Sequence, residues 1–302
     1  MAGGAAQRFP AFKSEESRAR YIAAYDAVLR EWPVDYQTLE LPTRLGPTHV
    51  IVSGPPDAPP LVLLHSFAGT ATVWRLNVET LSRRYRTFAV DVIGQPGKSQ
   101  AVRKIRHRRD FAGWYIDLLD GLGIARASIV GCSFGAFLAL SQAALTPERI
   151  DRLVLISPAG SFVGLSWRFT YAMLTSRLRR RVRRLLGDKR PPSLADLSAR
   201  QAPRDPAWAK LMSVTMAEAA KVSIINAGVF RRSELQKIRA PALLLIGEQE
   251  RLYDPHQTLT LAQLRMPGLK GAIVPKADHI AAMAQPDDVN ARILGFLAAG
   301  VA

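Results

Sequence analysis

The run Gly131-Cys132-Ser133-Phe134-Gly135 lies between a strand-like Ser128–Cys132 and a helix-compatible Phe134–Ala144. A Ser in G-x-S-x-G at a strand-to-helix turn is forced into strained φ/ψ. Any Cβ at the flanking Gly positions would clash there. The turn lifts Oγ above the sheet and leaves the Phe134 N–H at the positive end of a helix, aimed at a developing oxyanion. The plainer account of the motif is a Gly-rich turn with a helix-capping Ser. The strand-turn-helix context favours a nucleophile.

An alcohol near its free pKa is a poor nucleophile until a positioned base takes its proton, so a His is required. Five exist. His49 lies within an early strand, and His107 sits in a run of Arg that disfavours its protonation. His65 ends a strand, where holding a loop through backbone bonds is the more ordinary role. His256 follows Pro255 at a helix start. His279, in Lys276-Ala277-Asp278-His279, stands directly after the last strand and before the C-terminal helix, and is the candidate base.

The acid belongs just past the strand Ala242–Ile246, in Gly247-Glu248-Gln249-Glu250-Arg251-Leu252-Tyr253-Asp254-Pro255. Its work is to fix the His tautomer and stabilise the imidazolium. Glu250 is the first candidate and Asp254 the alternative acid, although Asp254 followed by Pro255 also reads as a helix N-cap. Glu248 is read as a contact to the strand-end loop. A second oxyanion donor is expected from Leu61-Val62-Leu63-Leu64-His65-Ser66-Phe67-Ala68-Gly69, with the Phe67 N–H as donor beside that of Phe134.

These residues need a scaffold that gathers strand ends. Strand-like runs fall at Tyr36–Leu41, His49–Ser53, Leu61–His65, Arg86–Asp91, Ser128–Cys132, Leu153–Ser157, Ala242–Gly247 and Gly271–Pro275. From the third onward each is followed by a helical pattern, and several are continuous Val/Ile/Leu, as in strands covered on both faces. The first two, joined by Pro42–Thr48, read as an antiparallel start. The expected fold is α/β: a doubly wound, mostly parallel eight-stranded sheet. A helix is expected over 14–30, with Tyr21, Ala24, Tyr25 and Leu29 on one face. The stretch 161–233 is too long for a loop and reads as a helical cap inserted after the sixth strand. The core is then 1–160 with 234–302. Phe162, Trp167, Phe169, Tyr171 and Met173 could line an acyl pocket, though residues of these types are more often core.

Composition narrows the class. The 302 residues are 48% apolar and 22% charged, the ordinary globular range. Apolar runs such as Leu61–Leu64 and Ala242–Ile246 are strand-length, and the N-terminus has no apolar signal-peptide core, so a cytoplasmic location is the default expectation. The single Cys132 gives neither a disulfide nor a metal-site spacing, and no cofactor or metal is implied. The net charge of +16 concentrates in Arg103–Arg109 and Arg177–Arg190. That charge reads first as a solvated Arg-rich surface. Weak association with anionic surfaces through the basic cap is the functional reading, and no nucleic-acid motif accompanies it.

Over nearly its whole length the chain resembles the α/β-hydrolase fold family, and within it bacterial carboxylesterases of the naproxen-esterase type. The resemblance rests on Phe12-Lys13-Ser14-Glu15-Glu16, Thr48-His49-Val50-Ile51-Val52, Asp91-Val92-Ile93-Gly94 with Pro96-Gly97-Lys98-Ser99, and Gly247-Glu248-Gln249-Glu250 through Tyr253-Asp254-Pro255. It implies a Ser133-Glu250-His279 triad, in the serine, acid, histidine order of that fold, and hydrolysis of small-molecule carboxylic esters through an acyl-enzyme. In most such hydrolases Glu250's place is held by Asp, and a Gly stands where this chain has Ser66. Two alternatives keep the fold: a C–C bond hydrolase of the dienoate type, and a non-catalytic ligand receptor.

Overall fold

Alternate residues of the central strands face opposite layers. Leu61 and Leu63 pack into one apolar cluster while Val62 and Leu64 pack into the other, the period-two geometry of a sheet covered on both sides. The computed structural model describes residues 12–164, 205–219, 225 and 227–299. Within them the strands are β1 (Tyr36–Leu41), β2 (Thr48–Ser53), β3 (Pro60–Leu64), β4 (Arg86–Val90), β5 (Ala127–Cys132), β6 (Ile150–Ile156), β7 (Ala242–Gly247) and β8 (Lys270–Val274). They form one sheet in the order β1-β2-β4-β3-β5-β6-β7-β8. β2 runs antiparallel to β1 and β4, and the remaining pairs are parallel.

The described helices are α1 (Glu15–Leu29), α2 (Val78–Ser82), α3 (Arg108–Gly121), α4 (Phe134–Leu145), α5 (Pro206–Glu218), α6 (Arg232–Leu235), α7 (Pro255–Arg265), α8 (Ala281–Ala284) and α9 (Pro286–Ala298), with a 3₁₀ turn at Ala71–Leu76. α3, α4 and α7 cover one face through residues such as Phe111, Trp114, Phe137 and Ala262. α1, α2 and α9 cover the other through Tyr21, Tyr25, Leu81 and Ile293. The four residues expected on the inner face of α1 are all buried, and its N-cap Ser14 accepts the Ser17 N–H at 3.1 Å. No described helix is long and apolar enough to cross a membrane.

After β6 the described residues run to 164, and the next described element is α5. Most of the expected cap, including Trp167, Phe169, Tyr171, Met173 and the Arg177–Arg190 run, lies outside the described residues. Phe162 is described, and it is core: 1% exposed within the α3/α4 cluster. α5 is fastened at both ends. At its C-terminal end Ser17 donates to Glu218 at 2.6 Å and Arg20 Nε at 3.0 Å. At its N-terminal end Asp205 accepts the Trp208 N–H at 3.0 Å and Arg75 Nε at 2.9 Å, while the Arg75 guanidinium lies 4.7 Å from the Trp208 ring centroid. The Arg75 side chain is only 4% exposed.

Removing one partner of a buried ion pair leaves an uncompensated charge and costs about 3–5 kcal/mol. Asp205→Asn should therefore lower the melting temperature by on the order of 10 °C, and Arg75→Leu/Asp205→Asn should recover most of it. Calorimetry checks both. A single variant melting with the wild type would show that Arg75 does not depend on this carboxylate.

Candidate active site

One residue separates β5 from α4, and it is Ser133. It sits at φ 54°, ψ −111°, a region that costs about 1–3 kcal/mol for a residue with a side chain. Its neighbours explain why the turn closes. A Cβ on Gly131 would fall 2.3 Å from the Gly135 carbonyl oxygen, and one on Gly135 would fall 2.2 Å from that of Leu64. The strained residue is pinned by its own backbone: the Ser133 N–H donates to Ile156 O at 2.8 Å, and its carbonyl accepts from Phe137 and Ala159.

The Ser133 Oγ lies 2.8 Å from His279 Nε2, and His279 Nδ1 lies 2.6 Å from Glu250 Oε2. The Glu250 side chain is fully buried, and its other oxygen accepts the Arg251 and Leu252 N–H groups at 2.8 and 2.9 Å. These amides fix the carboxylate's orientation from the loop that carries it. That loop is laid against the His279 loop because residue 247 is Gly. A Cβ there would meet the Asp278 and Ala277 carbonyls at 2.2 and 2.6 Å. Gln249 N–H to Ala277 O and Lys276 N–H to Glu248 Oε2 complete the clamp.

The structure thus brings Glu250, and not Asp254, to the imidazole. Asp254 caps α7 by accepting the Gln257 N–H at 2.7 Å. Asp278, adjacent to His279, is turned to the Ile280 N–H, and burial raises its pKa. Of the other histidines, His107 is the N-cap of α3, and His256 lies in the first turn of α7. Cys132 shares the turn with Ser133, but burial pushes its thiol up to about 12, so it supplies no thiolate at neutral pH.

The loop after β3 meets the start of α4, with the Phe67 ring edge-on to that of Phe134 at 6.3 Å. Neither the Phe67 N–H nor the Phe134 N–H has a hydrogen-bond partner among the described residues. The loop is held from below by groups with backbone partners. His65, wholly buried and kept neutral by that burial, donates from Nδ1 to Ser66 O at 2.8 Å and accepts the Val92 N–H on Nε2 at 2.9 Å.

Two further supports carry no sequence signal of their own: Gln95 Oε1 accepts the Ala68 N–H at 3.0 Å, and Asp91 bridges two loops. Asp91 Oδ1 accepts the Ala71 N–H at 2.7 Å, and Oδ2 accepts Lys98 N–H at 2.8 Å and faces His49 Nδ1 at 3.2 Å. Burial alone would raise the Asp91 pKa. The His49 contact and the Ala71 amide outweigh it and hold the pKa below its ordinary value. Both residues lie in the 91–99 stretch, which carries no recognisable reactive pattern.

A hydroxyl, an imidazole and a carboxylate in this order can move a proton away from Oγ as it attacks an electrophilic carbon. Two unengaged amides can then receive the oxygen charge. Among the described residues no group of three His, Cys, Asp or Glu is placed to hold a metal ion.

Residues 61–292 match the Alpha/beta hydrolase family. Over 297 residues, 96% of this chain and 97% of the relative, the sequence is 33% identical to the carboxylesterase YbfK of Bacillus subtilis. It is 34% identical over 285 residues, 92% of each chain, to the carboxylesterase nap of the same organism. The crystal structure of naproxen esterase (carboxylesterase NP) from Bacillus subtilis superposes with a TM-score of 0.83 at 32% identity, covering 94% of this chain and 99% of that one.

Asp91→Asn puts an amide N–H where the Lys98 N–H needs an acceptor, and should cost about 1–3 kcal/mol at neutral pH. The folded carboxyl ionises below its unfolded value, so its stabilisation is present above the ordinary carboxylate range and is lost as pH falls through the folded pKa. Melting temperatures between pH 7 and 3 should therefore fall less steeply in the variant. Parallel curves would rule out this role for Asp91.

Proposed function

The chain belongs to the alpha/beta hydrolase family, and from that membership we propose that it is a carboxylesterase acting through an acyl-enzyme on Ser133. The observation that carries this reading is the unbroken row from Glu250 through His279 to Ser133 Oγ, at 2.6 and 2.8 Å. The choice of ester as substrate follows the carboxylesterases to which nearly the whole chain is similar.

In this mechanism His279 Nε2 takes the Ser133 proton as Oγ attacks the ester carbonyl. The tetrahedral oxyanion is received by the Phe67 and Phe134 N–H groups, and His279 returns the proton to the departing alcohol. Water then enters, loses a proton to His279 and attacks the acyl carbon, releasing the acid and restoring Ser133. Glu250 keeps Nδ1–H on the imidazole, so that Nε2 is the basic nitrogen, and stabilises the imidazolium formed in each half. A Glu does this as well as an Asp because its extra methylene is taken up inside the loop, with Oε1 tied to two amides. The strained Ser133 backbone pre-aims Oγ, so less ordering remains for the reacting state.

Hydrolysis of p-nitrophenyl acetate tests the proposal. Ser133→Ala should reduce kcat by about 10⁴-fold or more, and Glu250→Gln by about 10²–10⁴-fold with a smaller change in KM. Mass spectrometry of quenched wild-type enzyme should find an added acetyl group on the peptide carrying Ser133. Turnover retained in Ser133→Ala would refute the mechanism.

A further inference from the structure

Two stretches joined by the Arg108–Glu234 pair carry a surplus of positive charge. Arg103, Lys104, Arg106 and Arg109 lie around the start of α3, and Arg231 and Arg232 around the start of α6. All six are exposed, and none has a carboxylate within ion-pair distance among the described residues. The acids of the same stretches are already committed. Asp110 accepts the Arg106 and His107 N–H groups, and Glu234 accepts the Arg231 N–H and pairs with Arg108. Nearby cations are neutralised instead, Arg44 by Asp117 and Arg149 by Asp120.

The Arg108–Glu234 pair joins the two stretches into one surface, and that surface is tied to the site through rings. The Arg108 guanidinium lies 4.6 Å from the Phe230 ring centroid, Phe230 lies 5.5 Å from Phe137, and Phe137 stacks on Phe134 at 6.1 Å. Phe134 in turn meets Phe67 edge-on at 6.3 Å. The surface also has apolar tips. Val102 and Val229 are each 44% exposed, and Phe67 is 37% exposed.

We propose that this cationic rim is a docking surface for an anionic lipid interface. Six exposed cations without an ion pair among the described residues fall within the number that marks acidic-membrane binding in basic segments, and the protein's net charge of +16 adds long-range attraction. Exposed apolar side chains among cations suit a headgroup layer, where charge meets phosphate and the tips enter the acyl boundary. A nucleic-acid surface would instead favour stacking rings and amide side chains among the cations, and the exposed apolar tips here are two valines and one edge-packed Phe. The choice of lipid also rests on the esterase reading, because a lipid layer presents ester bonds to an enzyme docked on it.

Sedimentation with vesicles of phosphatidylcholine, with or without about 30% phosphatidylglycerol, tests the rim apart from catalysis. The wild type should sediment with the anionic vesicles, weakly with the neutral ones, and be released at 0.5 M salt, where the Debye length falls to about 4 Å. At roughly fivefold per basic residue, Arg103→Glu/Arg106→Glu/Arg109→Glu should bind on the order of 100-fold less, and Arg231→Glu/Arg232→Glu about 25-fold less. Both should turn over soluble p-nitrophenyl acetate within twofold of wild type. Wild type that ignores anionic vesicles while hydrolysing the soluble ester overturns the rim and leaves the esterase standing. Rim variants that bind like wild type, or wild type that prefers a DNA duplex to the vesicles, overturn it as well.

Discussion

The site is organised by one backbone fact: a residue with a side chain sits at φ 54° in the single position between β5 and α4. No local interaction favours that conformation, so the surroundings must impose it. Gly131 and Gly135 do so by absence, since each lets a carbonyl come within about 2.3 Å of where a Cβ would be. The neighbouring strand β6 does so by contact, through the Ser133 N–H and Ile156 O. Because parallel strands bring their C-terminal ends to one edge, the same arrangement that strains Ser133 also delivers the loops after β3, β7 and β8 to it. The strain and the gathering of the site share one cause.

That edge depends on glycine a second time. Gly247 lets the loop after β7 lie on the carbonyls of Ala277 and Asp278, with no room for a side chain between them. A longer acid can therefore serve, because the carboxylate is positioned by how closely its loop approaches and by two of that loop's own amides. Side-chain length is a secondary variable. Asp254, four residues on, is spent on starting α7, which leaves Glu250 as the carboxylate that meets the imidazole.

What was legible in the sequence divides along physical lines. Buried strands announce themselves through continuous Val, Ile and Leu. All eight expected strands are present, with ends displaced by three residues at most: β6 starts at Ile150 because Ile150 already pairs with Ala127 across from β5. The nucleophile turn was legible because its geometry demands small residues at fixed offsets. The acid was only partly legible, since a choice between Glu250 and Asp254 turns on which way a loop folds. Gln95, Asp91 and the Arg75–Asp205 pair were not singled out for these roles. They act on backbone amides or partners up to 130 residues away, and a polar residue in a loop gives no sign of a distant amide that needs it.

The supports beneath the oxyanion loop bear on how such a loop can depart from the commoner His-Gly sequence. With Ser66 in place of Gly, the turn loses backbone freedom, and the positive φ falls instead on Ala68, at 55°. A loop with strain at Ala68 would relax unless its other ends were tied. Here they are tied three times, by His65 to Ser66 O, by Gln95 to the Ala68 N–H and by Asp91 to the Ala71 N–H. Each tie leaves the intervening Phe67 N–H without a partner among the described residues. A buried, charged Asp91 is costly in isolation. It is tolerated here because its two oxygens meet the Ala71 and Lys98 amides and the His49 imidazole. The cost of a non-glycine turn thus moves from the loop itself into the polar network that underlies it.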